Sequence, residues 1–584
     1  MAWNSNFRKG TDLPTWDWLS FNPVGASNYG ASIAYDNQRY VYYLNTGSTA
    51  GNSTTGTSTL YRYDTWSDGW QLLIGSGINV GASGCDLMYD SARNFLWFTN
   101  GGAVATVTWQ GLNLNPTAVT VLGTVFQPLT ATSMTGTNAL TTGAGPFNGG
   151  SLAFVEDAGF GEPFASGTTI AGSTTSSLVE TLGNSLLNGG YVGCAVRLTS
   201  GASSGSRRTI SAITVSRGTR YTTRATGAAA GTTITVDDTT NLAAGMTVVG
   251  TGIGYNAYIT NITGKVVTLS VANAFAVSSA ITCALDTVTT TLSSAVSSLA
   301  VGDTFVIEYP TGNGSTATTQ NTGSTATFAA TTITESVAIF TTNQYRDCDV
   351  LIISGTGAGQ RRRIASNTTT VITLETLNTG SKNPTAGFTT FSTDSVYKIL
   401  PPNDFIYQTT GSGTATFYRN DLSLTAATAW VAPGGATLPV NVTGGSMLHY
   451  GKEAAPFSLF FIQGGTNAPI YRYDIGTRVF TRINPSLGAG STSYLGTDLP
   501  STGSQHCILY DNNRMALLTQ GTTRLYGIRL SDGFVEPLGT LPYIAPSAFD
   551  GRKMLNIRSL DGVNWLYFMR AGGGEFYRCA LEWY

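Results

Sequence analysis

The feature that most constrains the fold is a short strand end that recurs along the chain: an apolar residue, an aromatic, an Arg, then a polar terminus. It reads Leu60-Tyr61-Arg62-Tyr63-Asp64, Phe417-Tyr418-Arg419-Asn420-Asp421, Ile470-Tyr471-Arg472-Tyr473-Asp474 and Phe576-Tyr577-Arg578-Cys579. Leu525-Tyr526-Gly527 and Thr108-Trp109-Gln110 look like degenerate copies. Tyr418, Tyr471, Tyr526 and Tyr577 follow one another at steps of 53, 55 and 51 residues, and Tyr61 and Trp109 are 48 apart. A period of roughly 50 residues is that of one four-stranded β-propeller blade.

Composition agrees with an all-β chain. Charged residues make up 11% of the 584, against about 25% in ordinary soluble domains. With 70 Gly and many Ser, Thr and aromatic residues, the pattern is of short strands joined by tight turns. The length implies two or more domains. The 41% hydrophobic content suffices for packed cores, which excludes disorder. A net charge of −2 gives no basic field for nucleic acid or an anionic membrane. Residues 1–10 lack the apolar run of a secretory signal, and no stretch approaches the ~20 apolar residues of a membrane span. The 6 Cys include no C-x-x-C pair and form no disulfide framework. The expectation is a soluble chain made in the cytoplasm.

Each Tyr-Arg strand sits inside a larger unit. Opening strands are expected at Ser32–Asp36, Asp86–Asp90, Ser151–Phe154, Met447–Tyr450 and Cys507–Asp511. Second strands follow at Tyr40–Leu44, Phe95–Phe98, Ser458–Ile462 and Trp565–Phe568. Gly101-Gly102, Gly464-Gly465 and Gly572-Gly573 resemble the kelch diglycine, where positive φ lets a strand turn sharply. Outer strands are expected at Trp70–Leu73, Trp430-Val431 and Phe480–Ile483. The units count to six. The last ends after its third strand, and Trp16-Asp17-Trp18-Leu19 is expected to supply the fourth, closing the ring and removing its exposed edges.

The third unit is split. Its second strand, Asp404-Phe405-Ile406-Tyr407, lies about 250 residues after its first. This divides the chain into propeller (1–158), inserted β-rich domain (159–401) and propeller (402–584). The insertion carries a duplication. The run Tyr191–Gly201, ending in Gly205-Ser206-Arg207-Arg208-Thr209-Ile210, matches Tyr345–Gly355, ending in Gly359-Gln360-Arg361-Arg362-Arg363-Ile364. Each reads as a β-hairpin, within modules of about 180–310 and 333–400. A further unit of short strands, Gly231–Val236, Asn241–Val248 and Val266–Ser270, is expected between the copies. The whole is an all-β, six-bladed kelch-like propeller with a large inserted multi-module β-sandwich or barrel-like region.

The S-G-x-x-x-G-x-x-R-x-I hairpin and the Thr232-Thr233-Ile234-Thr235-Val236 … Asn241–Ile253 pattern resemble modules of tailed-bacteriophage virion proteins. A propeller carrying inserted β domains is similar to the nozzle proteins of short-tailed phages. The resemblance implies a structural tail protein that is not an enzyme. It would assemble as a ring, typically a hexamer, at the tail tip, and touch other tail proteins such as an adaptor or fibre. It would let DNA pass without binding it, a role that suits a near-neutral wall. The alternative is a tail protein that binds a host surface glycan through an aromatic propeller face. A propeller glycosidase or oxidase ranks third.

No catalytic, cofactor-binding or metal site is expected. His449 and His506, the only histidines, stand on separate opening strands, too few for a metal-ligand set. Ser67-Asp68-Gly69-Trp70 resembles a sialidase Asp-box without its spacing, and a blade turn explains it better. Glu156, Asp157 and Glu162 read as solvated loop charges, although sequence spacing does not exclude a carboxylate pair. Arg361-Arg362-Arg363, the densest basic run, reads as able to touch phosphate or an acidic neighbour, and Arg207-Arg208 at the equivalent place argues for a repeated module feature. The Tyr-Arg repeat is expected to pack its Tyr between blades, with the Arg covering it or pairing with the following Asp. Cys194 and Cys348, at equivalent places, read as small buried residues.

Overall fold

In a computed structural model the described residues are 17–580 except 20–30, 46–57, 79–85, 100–108, 115–150, 156–162, 377–390, 424–429, 464–468, 484–504, 541–553, 559–563, 570–575 and gaps of one to four residues. The diglycines, the Trp16 position and Glu156, Asp157 and Glu162 lie outside them, as does the side chain of His506. The described residues form nine antiparallel sheets and no α-helix. Among them no helix is long and apolar enough to cross a membrane.

Six of the sheets are small meanders. The first is Ser32–Tyr35, Tyr40–Asn45, Ser58–Asp64 and Gly69–Ile78, in that order. The second is Leu87–Asp90, Phe95–Thr99 and Trp109–Asn113. In the third, Ser151–Phe154 pairs with Phe405–Thr409, which pairs with Phe417–Asp421. Trp430-Val431 adds only an isolated bridge, Arg419 to Val431, rather than a strand. The fourth runs Met447–Tyr450, Ser458–Ile462, Ile470–Asp474 and Phe480–Arg482. The fifth is Gln505–Asp511, Arg514–Thr519, Arg524–Arg529 and Val535–Thr540. The sixth is Met554–Arg558, Asn564–Met569 and Phe576–Ala580, with Asp17-Trp18 adding to its outer edge opposite Arg578 and Tyr577.

The first strands of these sheets touch in sequence, and Met554–Arg558 touches Ser32–Tyr35, so their contacts make a closed circuit. Buried polar groups stitch part of it. Ser32 donates to one Asp86 oxygen (2.8 Å) and Ser151 to the other (2.9 Å), while Ser151 Oγ accepts the Leu448 N–H (3.2 Å). One carboxylate and two hydroxyls thus tie four consecutive sheets, satisfying groups that burial would otherwise leave costly. Apolar cores fill the spaces between successive sheets. Ile33, Val41 and Tyr63 meet Leu555, Tyr567 and Phe576, and Tyr407 and Phe417 meet Leu459 and Tyr473.

The recurring strand end packs its Tyr between sheets, with Tyr61, Tyr418 and Tyr471 each against an inter-sheet core, but in the first sheet its Arg does not pair with the following Asp. Tyr61 is half-buried, and the residue two places on, Tyr63, is the one that fills the seam, 5.0 Å from Phe576 edge-on. Period-2 alternation puts Tyr61 and Tyr63 on one face, toward the seam, while Leu60, beside a register shift, joins the core on the other side of the sheet. Arg62 bonds Gln71 (3.1 Å) and lies over Tyr40, and Asp64 takes Arg39 rather than the motif arginine.

Three larger sheets form the insertion. Two share one strand order. In the first copy Ala165–Thr168, Thr304–Glu308, Ala195–Leu198, Arg207–Ser216, Thr287–Leu292 and Ser177–Thr181 lie side by side. In the second, the corresponding places are held by Thr311–Asn313, Val396–Leu400, Asp349–Ser354, Arg361–Asn367, Val371–Leu374 and Thr332–Glu335, with Ala326–Phe328 beyond. Both have a register shift at the same point, after Ile210 and after Ile364. The third sheet, from Tyr221 to Ala284, falls between the two repeated runs in sequence. It is nested inside the first copy, between Arg207–Ser216 and Thr287–Leu292.

Candidate functional site

The most concentrated chemistry among the described side chains lies where the second copy meets the third and fourth small sheets. It grows from the hairpin Asp349–Ser354 and Arg361–Asn367, whose register sets Arg363 opposite Asp349 and Arg361 opposite Leu351. Arg361 pairs with Asp349 (2.6 Å) and bonds the Pro401 carbonyl (3.2 Å). Arg363 leaves its own module and pairs with Asp404 (2.7 Å) and Asp421, which flank the strands Phe405–Thr409 and Phe417–Asp421. In the other direction Arg419, a motif arginine, pairs with Asp347 (2.6 Å), which Arg478 also reaches (2.9 Å).

Phe405 is the organic centre of this group. The guanidinium carbons of Arg363 and Arg419 each lie 4.4 Å from its ring centroid, a geometry in which the ring quadrupole favours cation. Asp347, Asp349, Asp404 and Asp421 balance Arg361, Arg363, Arg419 and Arg478, so the cluster is neutral as a whole. Burial opposes ionisation of Asp347, but Arg419 and Arg478 outweigh it and hold its carboxyl below the usual carboxylate range. Burial likewise opposes the charge on Arg363, and Asp404 and Asp421 overcome it, holding its pKa above the usual guanidinium value. Removing one member would strand an opposite charge in low dielectric, the expensive case for buried pairs.

A second set of contacts roots the first copy. Asn188 Nδ2 donates to the Ala454 carbonyl (3.2 Å), and Asn513 Nδ2 donates to the Ser185 carbonyl (3.3 Å). Phe457 meets Tyr309 and Tyr345 edge-on, at 6.2 and 5.6 Å. Here glycine is required by space: a Cβ on Gly190 would press on Ala455, and one on Gly476 would overlap the Gln344 carbonyl. The copies are joined to each other by the Tyr345 hydroxyl, which donates to the Gly193 carbonyl (2.6 Å), and by one continuous apolar core.

The residues singled out in the sequence fall as follows. The basic run faces inward: Arg361 and Arg363 are ion-paired, and Arg362, almost fully buried, donates to the Ala330 and Glu375 carbonyls. Its counterpart Arg208 does the same to the Ala295 and Asn321 carbonyls, and Arg207 pairs with Glu308 (2.6 Å). No open phosphate-binding face results from these five arginines. Ser67 and Asp68 lie in the turn before the strand that Gly69 and Trp70 begin, with Asp68 at φ 51 accepting the Tyr63 hydroxyl. His449 is buried in Met447–Tyr450. Cys194 and Cys348 are buried and form no disulfide. Among the described residues, no group of three or more His, Cys, Asp or Glu side chains is placed to hold a metal ion. Sequence reasoning missed Asp347, Asp404, Asp421 and Arg478. The available signal was an acid, Asp347, standing where the other copy has Gly193.

No family model and no curated protein sequence matches the chain. Among solved structures it is similar to a Bacteroides uniformis protein described as a candidate 6-phosphogluconolactonase (9% identity, TM-score 0.28, 93% of this chain and 95% of that one). It is also similar to the leech intramolecular trans-sialidase (11%, TM-score 0.26, 96% and 68%) and to TolB of Acinetobacter baumannii (14%, TM-score 0.18, 50% and 56%). At this distance the chemistry of those proteins stays with them.

Proposed function

We propose that the protein is a structural component of a bacteriophage tail, a ring-forming nozzle or tail-tip protein through whose channel DNA leaves the particle. In this reading the six small sheets are the blades of one kelch-like propeller, formed by residues 1–158 and 402–584. Residues 159–401 are the inserted domain that meets neighbouring copies or other tail proteins. The closed circuit of first strands supports the propeller, and the phage-like module patterns support the setting.

The observation that carries a mechanical role is the rooting of the insertion. An appendage on a single loop would pivot freely. This one is held at two sheets by the Asp347–Arg419–Arg478 and Arg363–Asp404–Asp421 ion groups and at the fifth by Asn513. Such a joint passes force between insertion and propeller without rearranging, which a rigid wedge in a ring requires.

The test is light scattering of the purified chain with electron microscopy of the same sample, alone and with tail extract. The expected result is a closed ring. A persistent monomer that binds host surface glycan would overturn the proposal in favour of adhesion.

A further inference from the structure

The nested sheet is attached in a way unlike everything around it. The two module copies share a single core, running from Phe164 to Leu400 and taking in Phe457. Residues 221–284 contribute nothing to that core. They build their own, from Ile234, Val236, Val248, Ile259, Val267 and Ile281 among others. A segment that closes its core on itself has what independent folding needs, with boundaries where few contacts cross.

Two chain passages cross that boundary, residues 217–220 outward and 285–286 back. Asp286 clamps them. It is 3% exposed and accepts Arg217 (2.9 Å), both terminal nitrogens of Arg220 (2.7 and 3.0 Å) and the Gly218 N–H (2.9 Å). Gly218 is needed there, since a Cβ would overlap the Leu285 carbonyl. Burial opposes the Asp286 charge, but Arg220, the Gly218 N–H and Arg217 more than offset it.

The second copy shows what the first looks like without the nested sheet. By register Ile213 and Thr290 correspond to Asn367 and Ile372, and in the second copy that gap is closed by Thr368-Thr369-Thr370-Val371. We infer that residues 221–284 are an autonomous head set into a hairpin turn of the first copy, its direction fixed by the Asp286 clamp together with the close approach of Thr247 and Tyr258 to Gly183, and not by a shared core. The head can then be exchanged or re-aimed without disturbing what carries it. This goes beyond the proposed tail role and does not depend on it.

Two full-length variants test it. In the first, residues 219–284 are replaced by Asn-Gly, which keeps Val215 and Val288 in the shared core, and hydrogen exchange should show the strands of both copies protected within about twofold of the parent. Loss of that protection would overturn autonomy. The second is Asp286→Asn with spin labels at Phe275→Cys and Val301→Cys, both sites exposed (58% and 68%). Amide protection inside the head should hold within twofold, while the label-to-label distance distribution at least doubles in width. A distribution as narrow as the parent's, or a head that loses protection, would overturn the clamp.

Discussion

The two copies of the duplicated module have the same strand order and the same bulge, yet among the described residues only the second is riveted to the small sheets by ion pairs. The difference comes down to a few equivalent positions. Gly193 in the first copy is Asp347 in the second; both sit at positive φ (91 and 68), where Gly is at ease and Asp is tolerated. Thr209 in the first is Arg363 in the second. Those two replacements supply the acid and the base that reach the small sheets. Neither side chain belongs to the module's apolar core, so docking was added without touching what makes the module fold.

The copies also differ inside. By register Glu180 corresponds to Glu335, and Phe305 to Tyr397. Both glutamates are buried with carboxyl pKa values pushed up by burial. In the second copy the Tyr397 hydroxyl donates to Glu335. The first has no hydroxyl there, and Glu180 relies on the Thr168 N–H and Ser185 Oγ, both at 3.2 Å.

Three substitutions probe this comparison. Arg363→Ala leaves the buried Asp404 and the half-buried Asp421 without this cation. It should cost about 3–5 kcal/mol in chemical denaturation and raise amide exchange across Asp349–Asn367; a loss within experimental scatter would show the rivet to be idle. Glu180→Gln isolates the buried carboxyl. Burial raises its pKa from 4.5 to about 7, so the folded state holds a proton the unfolded chain releases. Its contribution is full below the ordinary Glu range and fades as pH rises through 7. Between pH 4.5 and pH 8 the parent should lose about 3 kcal/mol relative to Glu180→Gln, and parallel pH profiles would refute the assignment. Phe305→Tyr copies the second module's solution and should stabilise the parent by about 1 kcal/mol at pH 8, read as a rise in Tm. A fall would mean that the site has no room for the hydroxyl.

The all-β character was legible because its signals are local: apolar alternation, Gly-rich turns and a strand end repeated every fifty residues. The duplication was legible because Tyr191–Ile210 and Tyr345–Ile364 keep their residues in step. What escaped was pairing at a distance. Nothing near Arg363 announces Asp404 or Asp421, and a basic triplet reads the same whether it faces solvent or an acidic pocket. The strand end was read at Tyr61, although alternation turns both Tyr61 and Tyr63 to the seam and Tyr63 is the more buried of the two. That the head interrupts one copy was not read, because a hairpin names its own two strands but not the later strand, Thr287–Leu292, that pairs beside it.

The split third sheet also has a clock in it. Ser151 must wait for Thr409, 258 residues downstream. At a synthesis rate of 5–20 residues per second that is roughly ten to fifty seconds. Through that interval Ser151–Phe154, all four residues of which end up buried, has no partner along this edge, and an unpaired apolar strand invites pairing with another chain. The insertion emerges first and Arg363 is made before Asp404 and Asp421, so the rivet is presented before the sheet that receives it has its second strand. Slower translation across 159–401 would lengthen the exposure, and yield of soluble protein should fall with it.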